Sequence, residues 1–97
     1  MIEVRINIEY KGQAISLSQM FGRAKDVKSL WESAKVIDGM VVEMLKRAEN
    51  YLSGVFDEEL DLFVTLEYLP DGSVALEILN NIIKGEIIGS GSVHLLE

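Results

Sequence analysis

The chain contains no cysteine, and it has only one proline, one histidine and one tryptophan among its 97 residues. The absence of cysteine excludes disulfide bonds and thiolate metal sites, and it suits a reducing compartment. No apolar run approaches the roughly 20 residues of a membrane-spanning helix, and the N-terminus lacks the charged and apolar segments of a signal peptide. A chain of this length can build one hydrophobic core but not two. We therefore expect a soluble, cytoplasmic protein with a single domain, residues 1–97.

Positive charge is also scarce, since 9 Lys and Arg residues stand against 16 Asp and Glu, for a formal net charge of −7. Binding to the nucleic-acid backbone depends mainly on Lys and Arg side chains that neutralise phosphates, so direct nucleic-acid binding is not expected. A partner protein with a basic surface fits this charge better. No nucleophile set, metal-ligand set or phosphate loop stands out, so we predict neither a metal nor a cofactor. The glycines at 85–91 lie between strand patterns, whereas a nucleotide-binding loop opens a helix.

Three turn signals predict how the strands pair. They are Lys11-Gly12, Pro70-Asp71-Gly72 and Lys84-Gly85. Glycine supplies the positive φ that tight turns need, and proline presets φ at the second turn position. Once each turn is placed, apolar residues lie opposite apolar residues on one face, and a slip by one residue would scatter them. The predicted pairs include Tyr10 with Gln13, Ile8 with Ile15, Tyr68 with Val74, Leu66 with Leu76, Leu76 with Val93, and Val74 with Leu95.

Between the two strand regions the apolar residues follow a helical rather than an alternating period. Ser29 and Glu32 form a capping-box pattern, and Gly54 stands where a left-handed helix end belongs, so the main helix should span about 30–53. Residues 16–28 are interpreted as a linker with a helical turn. The predicted strands are about 2–10, 13–18, 61–69, 73–83 and 86–96. The order ββαβββ predicts an α+β two-layer sandwich, in which one antiparallel sheet packs on one long helix.

The predicted helix has more apolar surface than one sheet face covers, because its apolar residues spread over about twice the ~100° arc of an ordinary surface helix. The residues that widen the apolar stripe are Trp31, Val36, Met40, Val42 and Met44. Two interpretations stay open. Either the N-terminal hairpin or residues 16–28 cover the flanks, or a second copy or another protein packs on one of them. Basic residues before the helix and acidic residues 57–61 after it fit a twofold dimer with antiparallel helices, and they also fit two solvated loops.

The outer face of the sheet is predicted to carry one polar cluster and one apolar pair. Glu77 should lie diagonal to Glu67 and to His94, which suggests weak candidates for acid/base chemistry or a divalent metal site. A pleated face open to water offers neither the burial nor the third strong ligand that such functions need, so a solvated face is the plainer interpretation. Phe63 and Leu79 are adjacent in the same register and form a candidate contact patch.

The sequence therefore favours a small non-catalytic protein-interaction module of the adaptor, immunity-factor or inhibitor type, homodimeric through an apolar helix flank. The alternative is a small-molecule-binding domain or an enzyme with a pocket between the helix and a curved sheet. That alternative depends on Gly89 and Gly91, which should face the helix and either mark a bulge or a close approach of backbone to the helix, or leave room for a ligand. The polar residues expected near such a pocket are Tyr10, Tyr68, Asn80 and Ser90.

Overall fold

The computed structural model describes residues 2–21, 34–81 and 85–95. In this part of the chain a five-stranded antiparallel sheet packs against a single helix, which confirms the α+β two-layer arrangement and the order ββαβββ. The elements are β1 (Ile2–Tyr10), β2 (Gln13–Phe21), α1 (Ala34–Phe56), β3 (Leu62–Tyr68), β4 (Val74–Asn80) and β5 (Glu86–Leu95).

The hairpin between β1 and β2 forms as predicted. Lys11 and Gly12 both adopt positive φ, of 49° and 80°, as a two-residue type I′ turn requires. The register is continuous from Tyr10 opposite Gln13 to Ile2 opposite Phe21. β2 extends three residues beyond its predicted end at 18, because β1 supplies pairing partners along its whole length. The predicted linker with a helical turn at 16–28 is therefore wrong for residues 16–21, which are strand, and the rest of it lies outside the described residues.

The hairpin between β3 and β4 also follows its turn signal. Gly72 has a φ of 91°, and its N–H donates to the Leu69 carbonyl at 3.0 Å. The Asp71 carboxylate accepts hydrogen bonds from the hydroxyl and the backbone N–H of Ser73, at 2.6 and 2.9 Å, and these bonds lower the pKa of Asp71. The predicted pairs Tyr68 with Val74 and Leu66 with Leu76 are confirmed.

The predicted pairing of β4 with β5 is wrong by two residues. Val74 lies opposite Val93 rather than Leu95, and Leu76 lies opposite Gly91. The two-residue turn was misplaced, because β4 already ends at Asn80, which pairs with Glu86 and leaves a longer connection.

A β-bulge interrupts the β4–β5 ladder. Ile78 lies opposite Gly89, whereas the next residue, Leu79, lies opposite Ile87. Ile88 is therefore the additional residue on β5, and it is buried. Beyond the bulge, Ile87 consequently faces away from the helix.

The strand order is β2-β1-β5-β4-β3, so β5 is central and β2 and β3 are the two edges. At the centre the backbones of β1 and β5 approach closely. A Cβ atom placed on Gly91 would lie 2.2 Å from the Arg5 carbonyl oxygen, and one on Gly89 would lie 2.4 Å from the Asn7 carbonyl oxygen. The close approach at these glycines is therefore to β1 rather than to the helix as predicted, and a bulge directly precedes Gly89.

The core lies between α1 and the inner face of the sheet. From the helix the buried residues are Ile37, Val41, Met44, Leu45, Ala48 and Leu52, and from β1 they are Ile2, Val4, Ile6, Ile8 and Tyr10. Met44, a candidate interface residue on one apolar flank of the helix, is only 1% exposed and therefore belongs to the core. The flank that includes Met44 lies over β2, where Arg47 bonds Gln19. For this flank, the N-terminal hairpin provides the cover.

The helix ends later than predicted. Asp57 rather than Gly54 adopts the left-handed conformation, with a φ of 52°, and Gly54 lies within the last helical turn. The predicted start near residue 30 and the capping pair Ser29 and Glu32 lie outside the described residues.

Candidate functional site

Three apolar side chains form a row on the outer face of the sheet. Phe63 of β3 lies opposite Leu79 of β4, which in turn lies opposite Ile87 of β5. Phe63 is 38% exposed, Ile87 is 60% exposed and Leu79 is half-buried between them. The sequence identified Phe63 and Leu79, but it missed Ile87 because only the bulge turns that residue outward. Large apolar side chains grouped on a surface mark a contact site more strongly than the same residues scattered singly.

Phe63 also borders a groove between α1 and the edge strand β3. The groove has a volume of about 350 Å³, and its apolar lining includes Val42, Leu45, Leu62 and Val64. Val42 is 50% exposed, as expected for the second apolar flank of the helix. The structure thus brings the exposed helix flank and the outer apolar row together at β3. We call Val42, Phe63, Leu79 and Ile87 the β3-side surface.

Acidic residues line the groove of the β3-side surface and lie close to Phe63 along the chain. Asp38 and Glu49 line the groove together with one basic residue, Lys46. The segment that leads into β3 adds the exposed carboxylates of Asp57, Glu59 and Asp61. Along β3 itself the charged residue is Glu67. The surface therefore combines apolar anchors with a negative rim.

A polar contact fixes the end of α1 to the first hairpin. Glu58 accepts a hydrogen bond from the Tyr10 hydroxyl at 2.9 Å and pairs with the Lys11 ammonium. The Tyr10 ring also meets Phe56 edge-on, with ring centroids 5.4 Å apart, and the Lys11 ammonium lies 5.5 Å from the Tyr10 ring centroid. This contact gives Tyr10 a structural role, and it orients the acidic segment that follows the helix.

The ionisation of these groups reflects their surroundings. Burial raises the pKa of Tyr10, and its hydrogen bond to Glu58 raises it further. The hydrogen bond from Lys11 lowers the pKa of Glu58, and the same bond raises the pKa of Lys11. Near neutral pH the contact therefore holds a neutral tyrosine, a carboxylate and an ammonium group.

The predicted cluster of Glu67, Glu77 and His94 is not assembled. Glu67 and Glu77 remain diagonal neighbours, because Glu67 lies opposite Ala75 and Glu77 opposite Thr65. On the other side, however, Glu77 lies opposite Ser90, and His94 lies opposite Glu3 of β1. The two-residue error in the β4–β5 register produced the mistaken placement of His94. Within the described residues, no three acidic or histidine side chains group together as potential metal ligands.

Of the remaining predicted interface residues, the structure describes only some. Met40 is half-buried and packs against the core. Trp31 and the side chain of Val36 lie outside the described part of the structure. The basic residues before the helix, at 23–28, also lie outside it.

The two glycines do not open a pocket between helix and sheet. The space that a side chain would occupy at Gly89 and Gly91 is filled by the backbone of β1. Asn80 is fully buried on the inner face, where it accepts a hydrogen bond from the Asp61 N–H at 3.3 Å, whereas Ser90 is exposed on the outer face. These two residues therefore cannot line one pocket, and the hypothesis of a pocket enzyme stays a prediction from sequence.

Among the helical residues that the structure describes, none form a segment long and apolar enough to cross a membrane. Comparison of the chain with protein-family models, with curated proteins and with solved structures gave no match.

Proposed function

We propose that this protein is a non-catalytic protein-interaction module of the adaptor, immunity-factor or inhibitor type, which binds a basic-surfaced protein through the β3-side surface. One observation carries the proposal. The outer apolar row and the exposed helix flank, which are distant in sequence, meet at Phe63 on an edge strand. Interfaces commonly combine such an apolar centre with a charged rim, and aromatic residues are favoured anchors.

The edge position of β3 supports a protein as the ligand. Within the described residues β3 pairs with β4 on one side only, so its other side presents backbone N–H and C=O groups. An extended segment of a partner can pair with such an edge while its side chains enter pockets beside it. The groove with Val42 and Leu45 lies beside this edge and offers the apolar contact.

The negative rim indicates the charge of the partner. Asp57, Glu59 and Asp61 precede β3, and the whole chain carries a net charge of −7. Complementary charge accelerates association and disfavours partners of like charge. A basic partner should therefore bind more slowly as salt is added, since exposed charges more than ~8–10 Å apart are screened at physiological ionic strength.

We also propose that the protein is a homodimer.

The test compares two variants that each add one negative charge to the outer sheet face. Phe63→Asp alters the β3-side surface, whereas Asn7→Asp lies on β1 and retains the oxygen that accepts the Ser16 hydroxyl hydrogen. Each immobilised protein is used to capture partners from an extract of the native host, and the affinity of the captured protein is then measured with purified components. Circular dichroism checks that both variants fold.

A partner should bind wild type and Asn7→Asp equally, and it should bind Phe63→Asp about 30-fold more weakly, as expected for a hot-spot residue worth ~2 kcal/mol. Equal binding of the same partner to all three proteins would exclude the β3-side surface as its site.

A further inference from the structure

The other edge of the sheet, β2, has an unusual composition for an edge strand. Its nine residues, Gln13–Phe21, include no Asp, Glu, Lys, Arg, Pro or Gly. Edge strands of monomeric proteins are commonly protected by charges, proline or bulges, because their unpaired backbone groups template pairing with another chain. The register of β2 against β1 is continuous over all nine residues, so its outer edge is regular.

We propose that a second copy of this chain adds to this edge, with the two β2 strands antiparallel and Leu17 opposite Leu17 across a twofold axis. The two five-stranded sheets then form one continuous sheet with both helices on the same side. This interface is separate from the β3-side surface, and it replaces the predicted dimer contact through the helix flank.

Backbone hydrogen bonding favours this register. Tyr10 and Gln13 flank a two-residue turn and form a hydrogen-bonded pair, and the ladder alternates from there. The residues whose backbone groups point away from β1 are therefore Ala14, Ser16, Ser18 and Met20. With Leu17 on the axis, Ser16 lies opposite Ser18 of the second copy, and Ala14 lies opposite its Met20. Every outward backbone N–H and C=O group of these four residues then has a partner.

The side chains match on both faces of the strand. Directly opposite residues in an antiparallel pair point to the same face. In this register the inward-facing Ile15 lies opposite the inward-facing Gln19, and the small outward-facing serines lie opposite each other. No charge is buried and no like charges face each other within the paired strands. A homodimer needs such self-complementarity, because the same patch serves both subunits.

The partly buried side chains on and beside β2 mark the surface that the second copy buries. The inward-facing residues of β1 are at most 5% exposed, whereas the inward-facing residues of β2 are all only half-buried. Tyr51 of α1 is 51% exposed and lines an open groove of about 310 Å³ with Ile15, Leu17 and Arg47. The twofold axis brings the groove of the second copy next to this one, so that the exposed apolar surface of both is reduced.

Charge decides between the two edges. Two copies of a chain with a net charge of −7 repel each other wherever acidic surfaces meet. Pairing β3 with β3 would bring Glu67 of both copies to one interface, together with Asp61, which directly precedes the strand. β2 is uncharged, and Arg47 on the groove beside it is ion-paired with Glu43, so this pair adds no net charge there. A second copy therefore fits β2, and a basic partner fits β3.

The experiment uses two double variants at the same exposed positions of the outer face. In Ser16→Lys/Ser18→Glu, each introduced lysine faces an introduced glutamate of the second copy, whereas in Ser16→Lys/Ser18→Lys the opposing pairs are both positive. Sedimentation equilibrium over a range of protein concentrations measures the mass against the 10.8 kDa of one chain. Circular dichroism and thermal unfolding check that each variant folds.

Wild type and the lysine–glutamate variant should both sediment at twice the chain mass, and the dilysine variant should dissociate with a dimer dissociation constant increased roughly tenfold or more. A wild type that stays at 10.8 kDa at every concentration, or a dilysine variant as dimeric as the lysine–glutamate variant, would overturn the proposal. Phe63→Asp should leave the mass of the dimer unchanged. Failure of the dimer and failure of partner binding at β3 are therefore separate results.

Discussion

Gly91 occupies a position in the centre of the sheet that has no space for a side chain. An alanine Cβ atom there would lie 2.2 Å from the Arg5 carbonyl oxygen, about 1.2 Å short of the 3.4 Å at which ordinary contact begins. The obstructing atom belongs to the backbone of β1, so it cannot rotate away like the end of a flexible side chain. To accommodate the methyl group, β1 and β5 must separate at the place where they join the two halves of the sheet.

We expect Gly91→Ala to destabilise the protein by about 3 kcal/mol. Overpacking of a well-packed region costs ~1–3 kcal/mol, and weakening one or two ladder hydrogen bonds costs ~0.5–1.5 kcal/mol each. Alanine lowers the conformational entropy of the unfolded chain relative to glycine, which offsets ~0.5–1 kcal/mol of this loss. For a domain of this size, the net loss corresponds to a fall in Tm of roughly 12–24 °C.

Urea unfolding followed by far-UV circular dichroism measures this loss, and Gly39→Ala is the matched control. Gly39 lies in α1, and its Cβ position meets no described atom within 4 Å, so alanine there should stabilise the protein by ~1 kcal/mol. If Gly91→Ala unfolds within about 1 kcal/mol of wild type, which is no more than the smallest overpacking cost, the close approach of β1 and β5 is refuted.

Two further substitutions test the end of the helix. Gly54→Ala should stabilise the protein by ~1 kcal/mol in thermal unfolding, because Gly54 is helical, whereas a left-handed helix end at this position would make alanine destabilising. Glu58→Gln should remove a pH-dependent part of the stability. Since contact with Lys11 and Tyr10 lowers the pKa of Glu58 in the folded state, its contribution is present above the ordinary value of 4.5 and is lost as pH falls through the folded pKa. The difference between the urea midpoints of wild type and Glu58→Gln should therefore shrink from pH 6 to pH 3, and a constant difference would contradict the pairing.

The local turn chemistry explains which parts of the fold were predictable. At Lys11-Gly12 and Pro70-Asp71-Gly72, short loops leave only one register that keeps apolar residues on one face, so those pairings followed directly from the sequence. At Lys84-Gly85 the same rule failed, because the connection from Asn80 to Glu86 is longer and a bulge follows it. Gly89 and Gly91 suggest a bulge, but the apolar residues of β5 do not locate it, since the neighbouring isoleucines 87 and 88 suit either face.

The candidate site was predictable only where it depended on local spacing. Helical periodicity placed Val42 and Met44 on two apolar flanks, but it could not show that the flank with Val42 is exposed or that β2 covers the flank with Met44. The burial of that flank depends on which edge strand lies on which side of the helix, and this is a property of the assembled sheet. The meeting of Val42 with Phe63 likewise depends on strand order, which single-residue patterns do not encode.

The bulge at Ile88 breaks the alternation of β5, so the face on which each residue lies changes from one side of the bulge to the other. If β5 continued without the bulge, Ile88 would lie opposite Leu79 on the outer face, and Ile87 would alternate in step with Gly89 and Gly91 and point toward the helix. With it, the chain carries an apolar side chain on the solvent face while the glycines keep their contact with β1. Closure of the bulge without loss of a residue would thus exchange Ile87 and Ile88 between surface and core. Deletion of Ile88 would instead leave Ile87 opposite Leu79, so it would remove a buried isoleucine and keep the outer apolar row.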